Sequence, residues 1–174
     1  MLRVYVCVRL FVTSPRSPRA LSTLSCAQDT QNWTQAIIWY DRRANMKGTW
    51  EEERFYAFYK KAMAMHKAHK PWSEVLDAYL IAYEFRPSRI EPLYHIARHY
   101  RENKKWHSGY MFAKMAYDTA YPKTDVLFVE KWIYEFDILD ELMVCSNWIN
   151  RYKESYDLVR FTIGSNKCGD SCVG

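Results

Sequence analysis

A step of 34 residues, from Trp72 to Trp106, constrains this chain more than any other feature. Ala82-Tyr83 and Ala116-Tyr117 keep the same step in phase, and Pro87 and Pro122 nearly do. One such spacing is coincidence; several in phase mark a repeated unit. A unit of this length holds two helices and a turn, and a single helix pair cannot bury its apolar face, so neighbouring pairs must stack. Small residues at Ala82, Gly109 and Ala116 would let helices approach closely, with Tyr, Trp and Leu filling the spaces between pairs.

The helices can be read from periodicity and punctuation. Thr49 and Glu52 form a capping-box pattern, followed by an apolar stripe at Phe55, Tyr59, Ala62 and His66. His69-Lys70-Pro71 breaks the run. Pro71 suits the first position of a second helix, whose stripe is Val75, Tyr79, Ala82 and Tyr83 and which ends before Pro87. Ser88 and Glu91 repeat the capping-box pattern ahead of a third helix bearing Leu93, Ile96, Ala97 and Tyr100, with Pro92 tolerated in its first turn. After the polar turn "ENKK", Trp106, Gly109, Ala113 and Ala116 mark a fourth. A third pair is less regular: "DVLFVEKWIYEFDILDELMVCSNWI" reads as a long helix starting near Val129, and "RYKESYDLVRFTI" as its partner, with Ser155 in the small-residue position. The insertion "YPKTDVLF" shifts its phase.

The expected fold is therefore all-α: tetratricopeptide-like (TPR-like) antiparallel helix pairs stacked as a short right-handed solenoid over residues 42–163. An irregular or disordered extension (1–41) and a flexible tail (164–174) flank it. The extension is rich in Arg and Ser and has no acid before Asp29. That composition fits an organelle transit segment, a flexible tail, or residues foreign to the domain, and the last two readings are preferred. Arg9 interrupts the apolar run too early for a secretory signal, so the sequon Asn32-Trp33-Thr34 is discounted.

Composition excludes several classes. Hydrophobic residues at 49% and aromatics at 17% supply a core and rule out a disordered chain, while only five glycines argue against a sandwich or barrel. The net charge of +5 is too modest to mark a nucleic-acid binder. No stretch reaches the roughly 20 apolar residues that span a bilayer. The five cysteines, Cys7, Cys26, Cys145, Cys168 and Cys172, lack a C-x-x-C pair. Reduced thiols and a cytoplasmic location are expected.

The segments "MKGTWEEERFYAFYKKA", "PWSEVLDAYLIAYEFRPSRIEPLYHIARHYR", "GYMFAKMAYDTAYPKTDVLFVEKWIYEFDILDEL" and "RYKESYDLV" resemble the TPR-like helical region that follows the catalytic domain in family-2-type glycosyltransferases. "FRPSRIEPLY" and "YPKTDVLFV" are its most specific parts, and the resemblance covers about residues 42–163. It implies an association with glycosyl transfer in polysaccharide synthesis. It supplies no catalytic residue, because the α/β domain and the D-x-D pair that would hold a divalent ion and a sugar diphosphate have no counterpart in the sequence. Asp137 and Asp140 come nearest and read as structural acids.

Other candidates are weaker. His95 and His99 share a helix face at zinc-binding spacing but lack the glutamate of H-E-x-x-H and a third ligand. Arg86 and Arg89 could clamp an anion, yet their expected role is local: bonding helix-end carbonyls and closing on Glu84 or Glu91. No nucleophile can be paired with a base, no Gly-rich phosphate loop is present, and no metal or cofactor is expected. In TPR geometry the first helix of each pair lines a groove, which here would present Lys60, Lys61 and Lys67, then Glu91, Tyr94, His95, Arg98 and Arg101. Such a basic, aromatic face suits an acidic peptide, a protein or an anionic glycan, and reversing Arg98 and Arg101 together should abolish capture with helicity intact. The leading reading is a non-catalytic interaction module associated with a glycosyltransferase. The alternative is a C-terminal fragment of a glycosyltransferase whose catalytic domain lies outside this chain. RNA reading ranks last, because irregular repeats offer no per-repeat code.

Overall fold

The computed structural model describes residues 32–46, 48 and 50–167, with side chains described as far as Arg160. Thr49, the Cys168/Cys172 pair, Cys7, Cys26 and residues 1–31 lie outside them. The described residues hold seven α-helices and no strand, so the chain is all-α. In order these are α1 (Trp33–Ala44), α2 (Glu51–Lys67), α3 (Trp72–Phe85), α4 (Glu91–Glu102), α5 (Trp106–Tyr117), α6 (Ile138–Trp148) and α7 (Tyr152–Lys167). A π-helical turn, Ile133–Asp137, leads into α6. They form two compact units, Met1–Ala82 and Tyr83–Gly174.

In the first unit, α1 corrects the expectation of an irregular segment up to residue 41. Its N-cap is Asn32, whose side chain accepts from the Gln35 amide at 3.2 Å and satisfies one of the helix's orphan donors. The triplet discounted as a glycosylation signal is a helix start. Ala36, Tyr40 and Ala44 bury against Ala57 and Ala64 of α2, a seam whose small side chains bring the two helices together. Ion pairs flank it, Lys61 with Asp41 at 2.7 Å and Arg43 with Glu53. On α2, Phe55, Tyr59 and Ala62 of the expected stripe are buried, whereas His66 is half-buried against the rings of Trp72 (5.7 Å) and Tyr79 (6.4 Å).

Three helices, α2, α4 and α6, end in the same turn. His69, Lys104 and Asn150 adopt left-handed backbones (φ 53, 57 and 64°). Each is followed by an amide that reaches back to close a Schellman cap: Lys70 to the Met65 carbonyl (3.1 Å), Lys105 to Tyr100 (2.8 Å) and Arg151 to Ser146 (2.9 Å). An aromatic residue then opens the next helix, Trp72, Trp106 or Tyr152. No glycine occupies the left-handed position; Asn150 is a residue type that favours it, whereas His69 and Lys104 carry no such signal.

In the second unit α4 meets α5, α5 meets α6, α6 meets α7, and α4 also touches α6. Ile90, Leu93, Ala97, Ala113, Ala116, Ile133, Ile138, Leu142 and Leu158 form its core. Gly109 sits at the closest approach: a Cβ there would lie 2.9 Å from Cys145 Sγ and 3.4 Å from the Ala97 carbonyl oxygen. The π-helical turn has a packing reason. Ile133 and Ile138 are five residues apart and both buried, a step too long for one face of an α-helix, and the wider turn returns them to the same side. α7 runs to Lys167, past the expected end of the domain at 163, and Ser155 Oγ donates to the Met143 carbonyl at 3.2 Å.

Two substitutions test this account by urea unfolding. Lys104→Gly should stabilise by about 0.5–1 kcal/mol, by removing the left-handed strain of a residue with a Cβ. Gly109→Ala should destabilise by about 1–3 kcal/mol, and less in a Cys145→Ala background where the sulfur no longer blocks the methyl.

Candidate functional site

The corner between α3 and α4 encloses a charge cluster. Arg89 is 0% exposed and an isolated buried guanidinium is prohibitively costly, so its surroundings must supply compensating groups. It donates through Nε and Nη2 to the Glu91 carboxylate (2.9 and 2.7 Å), through Nη1 to Asp125 (3.4 Å) and the Leu127 carbonyl (3.3 Å), and through Nη2 to the Phe128 carbonyl (3.2 Å). Arg86 adds a bidentate pair to Asp125 at 2.7 and 2.6 Å. Tyr134 donates its hydroxyl to Glu91 and accepts from the Ile90 amide, both at 3.2 Å. Two guanidinium groups face two carboxylates, so the cluster is neutral.

This arrangement answers two expectations. The Ser88–Glu91 capping box does not form: the N-cap of α4 is Ile90, without a side-chain bond, because Glu91 turns inward to Arg89. The expected closure of Arg89 on Glu91 forms, but Arg86 pairs with Asp125, and the carbonyls that accept from Arg89 belong to the insertion instead of a helix end. Phe128, with a left-handed backbone (φ 47°), offers its carbonyl to Arg89. Burial opposes the Arg89 charge, yet Glu91 and Asp125 outweigh it and raise its pKa. The hydrogen bonds from Arg86 hold the Asp125 carboxyl below its ordinary 3.8, despite its burial.

The expected groove residues fare unevenly. In the first unit Lys60 is buried, its ammonium over the rings of Tyr56 (5.2 Å) and Tyr59 (4.9 Å). Lys61 pairs with Asp41, and Lys67 is exposed. In the second unit Glu91 is fully buried in the corner cluster and offers no surface to a partner. Tyr94 is 6% exposed, with its hydroxyl accepting from Arg98 at 3.2 Å and the His95 ring 5.0 Å away. Arg98 is exposed and pairs with Glu102 at 2.9 Å. Arg101 pairs with Glu141, which is 4% exposed and whose carboxyl is pushed up by burial against the pull of Arg101. Reversing Arg101 would set two carboxylates together at a buried position, so the paired reversal cannot leave folding untouched.

Other chemistry stays dispersed. No three His, Cys, Asp or Glu side chains converge as metal ligands among the described residues. The His99 ring lies 3.2 Å from the Asn103 side-chain amide. Cys145 is a buried free thiol with its pKa pushed up to about 11 by burial. Asp137 is half-buried and Asp140 exposed. No described helix is long and apolar enough to cross a membrane. No protein-family model, curated protein or solved structure matches the chain.

Removing one partner of the corner cluster leaves a buried charge uncompensated, so Asp125→Ala should cost about 3–5 kcal/mol in chemical denaturation. The pH dependence has a definite sign. A carboxyl with a depressed folded pKa stabilises fully above its unfolded value and loses that contribution as pH falls through the folded one. Thermal melts of the unaltered chain should therefore weaken below about pH 3.8, and Asp125→Asn should flatten that slope.

Proposed function

We propose that this chain is a non-catalytic helical-repeat interaction module associated with a glycosyltransferase, TPR-like in the right-handed stacking of its helix pairs. The observation that carries the repeat reading is the Schellman cap that recurs after α2, α4 and α6, at the same place in each pair. Contact between α4 and α6, the first helices of successive pairs, also supports it. The link to glycosyl transfer rests on the resemblance, and its most specific segments are those that interlock in the corner cluster. A cytoplasmic setting fits a buried free thiol.

The binding face of the second unit is the exposed side of α4, centred on Arg98 with His95 beside it. It takes an acidic peptide, because Arg98 is exposed and its i,i+4 partner Glu102 is exposed as well, so their pairing gives way at little cost.

Fluorescence anisotropy with a labelled glutamate-rich decapeptide tests this. Affinity should fall roughly tenfold with Arg98→Glu, weaken with added salt, and leave far-UV helicity unchanged. Binding indifferent to that substitution removes α4 as the face. Sugar nucleotides with manganese should show no turnover by this chain alone; turnover overturns the non-catalytic reading.

A further inference from the structure

The second unit has a cleft beside the π-helical turn whose chemistry the interaction-module reading leaves unused. It encloses about 680 Å³ between the C-terminal end of α5, Tyr121 of the insertion and the π-helical turn, above buried Ile90 and Ile138. Aromatic rings dominate its walls: Tyr117, Tyr121, Tyr134 and Phe136. Tyr121 and Tyr134 stand nearly perpendicular, at 74° with centroids 5.1 Å apart, which makes two sides of a box. The Tyr134 ring is held in place by the bonds of its hydroxyl to Glu91 and Ile90.

The aromatic rings and the end of α5 favour a positive charge. Ring faces are negative, and so is the C-terminal end of a helix. The lining includes the carboxylate-bearing Glu135 and no lysine, arginine or histidine among the described residues. Glu135 has an exposed i,i+4 pairing to Lys131 at 2.9 Å, which gives way at small cost. In a chain of net charge +5, residues 116–139 carry five acids against two lysines. One of those acids, Asp125, is neutralised by Arg86, which still leaves an acidic excess. Lys114, not part of the lining, already lies over Tyr117 at 5.3 Å, so the open walls are Tyr121, Tyr134 and Phe136. The ring faces and Glu135 favour a cation over an anion, and a neutral ligand would have no use for Glu135.

We propose that this cleft binds a small organic ammonium group of the choline type, seated against Tyr121, Tyr134 and Phe136 with Glu135 at the rim. Attraction of a quaternary ammonium to ring faces supplies the affinity, and the carboxylate adds selectivity for charge. The proposal goes beyond the interaction-module reading and does not depend on it.

Calorimetric titration of the purified full chain with choline tests it, beside 3,3-dimethylbutan-1-ol, which has the same shape without the charge. Choline should bind saturably, and the neutral isostere at least about tenfold more weakly. Phe136→Ala should weaken choline about tenfold and Glu135→Gln a few-fold. Both side chains are exposed, so circular dichroism should show unchanged helicity. Equal binding of the isostere would reduce the cleft to an apolar cavity and overturn the proposal. So would an absence of saturable heat, or tighter binding of inorganic phosphate than of choline. The comparison of the two ligands on the unaltered chain decides the matter even where a variant fails to fold.

Discussion

A guanidinium sealed from water organises the second unit. Arg89 has no solvent to accept its hydrogen bonds, so the chain must deliver carboxylates and carbonyls to it from several directions. Glu91 comes from the first turn of α4, Asp125 and two backbone carbonyls from the insertion, and Tyr134 links the cluster to the helix that follows. The segment between α5 and the π-helical turn is thereby a structural component, clamped to the corner by ion pairs through Asp125. Strain at Phe128 is the local cost, and it persists because the surrounding hydrogen bonds determine that backbone.

Steric limits complete the unit. Gly109 admits Cys145 at a distance no side chain at that position would allow, which makes the meeting of α4, α5 and α6 dependent on one missing Cβ. The π-helical turn resolves a different mismatch, between apolar residues five apart and a helix that turns every 3.6. The same turn presents Glu135 and Phe136 to the cleft, so packing and candidate recognition share one backbone irregularity.

Internal pairing narrows what a partner can reach. Lys60 lies over aromatic rings and Arg101 neutralises a buried glutamate, so cations that look like a recognition surface in one dimension serve the fold in three. Arg98 remains at the surface because its own pairing is exposed. The acidic, aromatic cleft and the basic face of α4 are chemically opposite, and they would select different ligands.

Much of the architecture was legible. The stripes Phe55-Tyr59-Ala62 and Leu93-Ile96-Ala97 are buried as their periodicity required, and Gly109, Ala113 and Ala116 are buried on α5. Helix position and helix order follow from local spacing, since propensity and amphipathic period act along the chain. Asn32 carried a readable cap signal that was assigned to another meaning. The destinations of Glu91, Arg101 and Asp125 were not legible in the same way. Each is a surface-type residue whose partner lies far along the sequence, and whether a charge faces water or a counter-charge is settled only when the helices dock. The sequence by itself determined that helices form and where they lie. Tertiary structure decided which charges are buried, because desolvation is a property of the packed neighbourhood and not of the residue.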